Sequence, residues 1–184
     1  MIDRKHKLIL VHLPKTGGTS GARALGSRKD EDFKGKHWRL KNYSRAIADF
    51  NTYHTFGFVR NPWARMAAWY RFKAKRNRTG GLEFGEWLKL PRVHGLPRKE
   101  EDFFFLNGKF ALDSVGRFEN LEQDFKRIVF PFMGDIVFPH RFNLGPKNNY
   151  ALYYNQQSID LVEKRHQWVI KTFGYRFDDL LATD

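Results

Sequence analysis

The run Lys7-Leu8-Ile9-Leu10-Val11-His12-Leu13 is apolar on both faces of a would-be strand, and it ends at Pro14 and the pair Gly17-Gly18. A strand with one face in water alternates apolar and polar residues. An almost unbroken apolar run therefore belongs inside a mostly parallel sheet covered on both sides. Beyond the glycines, Thr19 and Ser20 read as the cap of a short helix reaching toward Leu25.

The same order recurs downstream. Thr55 to Val59 reads as a second strand running into Arg60-Asn61-Pro62. Asn is a favoured N-cap and Pro a favoured first helical residue, so a helix starts where that strand stops. Trp63, Met66, Ala67 and Tyr70 then form one apolar stripe. Ser114 to Phe118 reads as a third strand. Leu121, Phe125, Ile128, Val129 and Phe132 form a helical stripe, as do Ile159, Val162, His166, Val169, Ile170 and Phe173. Shorter helices are expected around 42 to 50 and 83 to 90, with polar or basic loops at 27 to 37 and 73 to 81. Strands alternating with helices predict an α/β domain whose ligands sit beyond the carboxyl ends of its strands. No repeat or linker interrupts the chain, so residues 1–184 are expected to form a single domain.

Composition narrows the partners. Thirty-three Lys and Arg against 20 Asp and Glu give a formal charge of +13, which suits an anionic ligand. The chain has no cysteine, which excludes disulfides and thiolate metal sites. The opening MIDRKHKLILVHLPK has too short an apolar stretch for a signal peptide or a membrane span, so the expectation is a cytoplasmic protein. No compact metal-ligand pattern occurs, and no metal is expected.

A strand, a glycine-bearing loop and a helix start aim several backbone N–H groups at one spot, which suits an anion. Lys15 adds a mobile positive charge. A Walker A loop carries its lysine directly after the last glycine, whereas Lys15 precedes the pair, which weighs against a kinase or NTPase reading.

The string His12-Leu13-Pro14-Lys15-Thr16-Gly17-Gly18-Thr19-Ser20 resembles the 5'-phosphosulfate loop of sulfotransferases that use 3'-phosphoadenosine 5'-phosphosulfate (PAPS), especially the carbohydrate sulfotransferases. Phe58-Val59-Arg60-Asn61-Pro62-Trp63-Ala64-Arg65 is similar to that family's 3'-phosphate motif. Weaker likeness appears in Gly116-Arg117-Phe118-Glu119-Asn120-Leu121, in Phe142-Asn143 and in Phe173-Gly174-Tyr175. The resemblance implies a P-loop-like three-layer fold, with a central, mostly parallel sheet flanked by helices. It also implies a donor held by Lys15, Thr16, Gly17, Gly18, Thr19, Ser20 and Arg60. Two departures stand out: Ala68 replaces a serine eight positions after the motif arginine, and Gly145 replaces another in the closing loop. Loss of one charge-assisted hydrogen bond at Ala68 would cost roughly 1.5–3 kcal/mol of donor binding.

Sulfuryl transfer needs an in-line nucleophile, charge neutralisation on the leaving phosphate and a base for the acceptor's proton. Lys15 is expected at the bridging and leaving oxygens. His37 is expected as the base, because histidine titrates near neutrality and related enzymes carry a similar histidine between the two motifs. His12 and His54 compete for that role, and His166 reads as a core residue. Arg65, Arg117 and Glu119 read at least as well as structural ion-pair partners. The acceptor would be an acidic glycan or a small molecule. Nucleic-acid binding, suggested by the basic run Arg71 to Arg78, lacks any accompanying motif and is not expected.

Overall fold

In a computed structural model, which describes residues 1–26, 37–90, 99–139 and 149–179, the element order alternates as the sequence predicts. The elements are β1 (Ile2–Asp3), β2 (Leu8–Val11), α1 (Gly18–Ala24), α2 (Leu40–Ala46), β3 (His54–Val59), α3 (Pro62–Ala74), α4 (Phe84–Lys89), α5 (Glu100–Phe104), β4 (Phe105–Leu106), β5 (Lys109–Phe110), β6 (Ser114–Arg117), α6 (Leu121–Met133), α7 (Gln156–Arg165) and α8 (Gln167–Phe173). They fall into two compact units. Met1–Val59 with Glu100–Leu144 makes the first, and Arg60–Lys99 with Gly145–Asp184 the second.

The first unit is built on a four-stranded sheet of order β1-β2-β3-β6. β2 and β3 pair in parallel with Leu8 opposite His54 and Val11 opposite Gly57, and β3 pairs in parallel with β6. β1 adds an antiparallel edge. All four residues of β2 are buried, as its double-faced apolar pattern requires. Leu8, Leu10, Phe56 and Phe58 pack with Leu121, Phe125, Ile128 and Val129 of α6 on one face. Phe58 and Phe125 stack with ring centroids 6.1 Å apart. On the other face, Gly57 leaves room for Phe104 of α5 and for Leu112, both of which a Cβ there would meet at about 3 Å. The sheet is thus flanked by helices on both sides. β4 and β5 form a hairpin around Asn107 and Gly108, at φ 49° and 77°. An Asn-Gly pair at positive φ is the favoured two-residue hairpin turn.

The second unit is helical and held by aromatic contacts. α3 starts as predicted: Asn61 Oδ1 accepts a hydrogen bond from Ala64 N at 3.1 Å, and Pro62 occupies the first turn. Every residue from Pro62 to Ala68 is buried, a much wider face than the Trp63-Met66-Ala67-Tyr70 stripe. Phe84 meets Tyr154 and Tyr70 at ring distances of 4.7 and 5.3 Å, and Trp63 meets Phe177 at 5.9 Å. The stripe from Ile159 to Phe173 is divided between two helices that break at the fully buried His166, whose φ and ψ are −116° and 28°.

Candidate functional site

The loop after β2 leaves the carboxyl edge of the sheet, and its residues alternate in exposure. Thr16, Gly18 and Ser20 are buried, whereas Lys15, Gly17 and Thr19 are partly exposed. Thr16 Oγ1 donates to the Leu13 carbonyl at 2.8 Å and ties the loop back to the strand end. Lys15 and Gly17 both take positive φ, 71° and 77°. That is unusual for a lysine and natural for a glycine.

The helix begins earlier than the sequence predicts. Gly17, in the left-handed region, is the N-cap of α1, and neither Thr19 nor Ser20 caps it. The amides of Ser20 and Gly21 already donate to the Gly17 carbonyl at 2.9 and 3.1 Å. The first amides of α1, those of Gly18 and Thr19, have no partner within the helix.

Neither glycine can be replaced without displacing a neighbour. A Cβ on Gly17 would lie 2.3 Å from Leu121 Cδ2, and one on Gly18 would lie 1.9 Å from His12 Cδ2. The buried imidazole of His12 thus rests on the loop backbone. Its ring centroid is 4.7 Å from that of His37, and His37 Nδ1 lies 3.3 Å from the His12 carbonyl oxygen. When Nδ1 carries the proton and donates to that carbonyl, Nε2 keeps the lone pair a base needs. Within this unit the structure therefore brings together the loop from Lys15 to Ser20, His12 and His37.

His54 does not join them. It opens β3 at the amino edge of the sheet, its Nε2 2.9 Å from Ser114 Oγ and its ring 4.8 Å from that of Phe132. His6 pairs with Asp3 at 2.8 Å. His94, His140, Phe142, Asn143, Gly145 and Lys147 lie outside the described residues.

In the second unit, Arg60 is partly exposed and Arg65 fully buried. Asn61 has a use that the cap signature did not reveal: its Nδ2 donates to the Arg176 carbonyl at 2.8 Å. Ala68 is buried on α3. Arg117 contributes its backbone N–H to Asp124 Oδ2 at 2.7 Å, a contact within β6 and α6. Among the described residues no group of acidic, histidine or cysteine side chains has the arrangement of a metal site, and no helix is long and apolar enough to cross a membrane.

Residues 1–143 match the family model described as the sulfotransferase family. A protein of Archaeoglobus fulgidus described only as uncharacterized is 30% identical over 108 residues, an alignment covering 55% of this chain and 85% of that protein. No solved structure matches the chain.

Proposed function

The chain belongs to the sulfotransferase family, and we propose that it moves a sulfuryl group from PAPS to an acceptor hydroxyl or amine by in-line displacement, releasing adenosine 3',5'-bisphosphate. The observation that carries this reading is the loop itself. Its two glycines are closed to side chains by Leu121 and His12, and Lys15 stands partly exposed at its entrance. The left-handed Gly17 and the start of α1 leave the amides of Gly18 and Thr19 without a partner in the helix, which supports a P-loop-like cradle for the donor's 5'-phosphosulfate.

In this reading the loop amides from Thr16 to Ser20 hold the phosphosulfate oxygens. Lys15 neutralises the charge that grows on the leaving phosphate as the sulfur–oxygen bond breaks. His37 takes the acceptor's proton through Nε2 while Nδ1 stays on the His12 carbonyl. A backbone carbonyl thereby fills the orienting place that a carboxylate takes in a catalytic triad. Arg60 is assigned the donor's 3'-phosphate, for which a guanidinium fork is well suited. The acceptor is proposed to be an acidic glycan or a small molecule, in keeping with the net charge of +13. The single domain over residues 1–184 and a cytoplasmic setting belong to the same proposal, and nucleic acid and metal have no part in it.

Calorimetry with adenosine 3',5'-bisphosphate, followed by transfer of labelled sulfate from PAPS to an acceptor panel, tests the proposal. Binding is expected without magnesium, and Arg60→Ala is expected to weaken the bisphosphate but not adenosine 5'-monophosphate. Absence of bisphosphate binding, or turnover of magnesium ATP instead, would refute it.

A further inference from the structure

At the amino edge of the sheet the first unit has a concavity of about 400 Å3. That size lies within the range of small-molecule pockets. Its walls are the outer side of α2, the turn that leads into β3 and the tip of the β4–β5 hairpin. Lys41 and Arg45 stand one helical turn apart on α2, where side chains at i and i+4 are neighbours. Phe50, Phe105 and Leu106, all partly buried, line the apolar side. Asn107, held at φ 49° by the hairpin turn, supplies an amide.

Three cations of the same unit are paired, whereas Arg4, Lys5 and Lys109, like the two that line this concavity, are not paired among the described residues. Lys7 pairs with Asp49 at 2.6 Å, Lys126 with Glu122 at 2.8 Å and Arg127 with Asp124 at 3.2 Å. Lys41 and Arg45 make no ion pair among the described residues, although both border apolar surface. An isolated surface cation is ordinarily only a solvated charge. Two of them beside aromatic rings in a concave site can neutralise an anionic head whose apolar body covers the rings.

The strand register places the Phe50–Thr52 wall of this concavity at the edge opposite the loop of Lys15, whereas Lys41 on its other wall follows His37 by four residues. β2 and β3 run in parallel with Leu8 opposite His54; the loop follows Val11 at one edge, and the turn at Phe50–Thr52 precedes His54 at the other. The six residues of β3 separate the two edges by about 17–20 Å.

We propose that this concavity is a second anion site, taking a small molecule with one sulfonate, phosphate or carboxylate head and a flat apolar body. Lys41 and Arg45 hold the head, and Phe50, Phe105 and Leu106 hold the body. The inference does not need the transferase reading. Failed donor binding would sink that reading and leave this one untouched.

The test uses the full chain and 1-naphthalenesulfonate, by calorimetry and by NMR of side-chain amides. Saturable binding is expected, shifting Asn51 and Asn107 amides but not the backbone amides of Gly17 and Gly18. The double variant Lys41→Glu with Arg45→Glu, at exposed positions and with unchanged circular dichroism, is expected to bind at least tenfold more weakly. Lys15→Ala and excess adenosine 3',5'-bisphosphate are expected to change nothing. Inorganic sulfate, which lacks the body, and neutral 1-naphthalenemethanol, which lacks the charge, are each expected to bind at least tenfold more weakly. No saturable binding, equal affinity for either partial probe, displacement by the bisphosphate, or shifts confined to Gly17 and Gly18 would overturn the proposal.

Discussion

Gly17 starts α1 without a side chain, whereas Asn61 starts α3 with one that is fully engaged. At the first helix start, Leu121 and His12 fill the space where side chains would go. At the second, Asn61 is completely buried, and its amide spends one end on the Ala64 N–H and the other on the Arg176 carbonyl. The contrast teaches that two motifs of equal sharpness in the sequence can have different jobs. In the proposed function the loop of Lys15 meets the donor, whereas the Asn61 side chain ties two segments of the second unit together. Substitutions in the loop should therefore act on turnover and donor affinity, and substitutions at Asn61 on stability.

The largest effect is expected at Lys15. Lys15→Ala should lower kcat by about 10²–10³-fold, the loss seen when one donor to a developing oxyanion is removed. Its melting temperature should stay within a degree or two, because the side chain is partly exposed. A large fall in melting temperature with unchanged kcat would reverse the assignment of roles. Single-turnover transfer from labelled PAPS alongside calorimetric unfolding separates the two outcomes.

Next comes Gly18, where the loop does depend on packing. Gly18→Ala puts a methyl group against the His12 ring and should destabilise the first unit by about 1–3 kcal/mol while weakening adenosine 3',5'-bisphosphate. Adding His12→Ala removes the clash, so the double variant should be more stable than the sum of the single changes predicts. A double-mutant cycle in urea measures this coupling, and additivity would show that His12 does not rest on Gly18. The same His12→Ala change should lower turnover through His37, whose ring lies against His12.

Asn61→Ala follows, with an expected loss of about 2 kcal/mol from a missing cap and a carbonyl left short of its donor. Urea unfolding checks the size. Turnover measured well below the melting temperature should change less than twofold, and a loss like that of Lys15→Ala would erase the contrast between the two helix starts.

How much of this was readable beforehand depends on whether the signal was local. β2, β3 and the Asn61-Pro62 start follow from neighbouring residues, through apolar runs and a cap whose partner is three residues away. The α1 start differs from the sequence expectation because a glycine cap carries no side-chain signature. A side chain at Gly17 is barred by Leu121, more than a hundred residues on, a contact that no local pattern announces. The break at His166 is invisible to periodicity, since the apolar stripe resumes on the far side. The Asn107-Gly108 hairpin was within reach, because that dipeptide between Phe105-Leu106 and Lys109-Phe110 is a strong hairpin signal. His54 competes with His37 for the base in the sequence, and strand direction places it at the opposite edge; direction is a property of the sheet as a whole.

The smallest effect belongs to Tyr154, which tests whether the second unit is structural in its own right. Its hydroxyl donates to the Trp63 carbonyl at 2.9 Å, and burial, with a lesser contribution from Tyr150, raises its pKa well above the usual tyrosine value. The folded state then prefers the protonated phenol. Unfolded tyrosine releases its proton near pH 10, so stability from this residue is intact below about pH 10 and falls as the pH climbs toward the folded value. Tyr154→Phe should cost about 1 kcal/mol at pH 7 and flatten the alkaline decline. Urea titrations at pH 7 and above pH 10 supply both numbers. An unchanged alkaline slope would mean that the phenol ionises without disturbing the fold. The aromatic contacts of Tyr154 with Phe84 and Phe177 would then hold that part of the unit without help from its hydrogen bond.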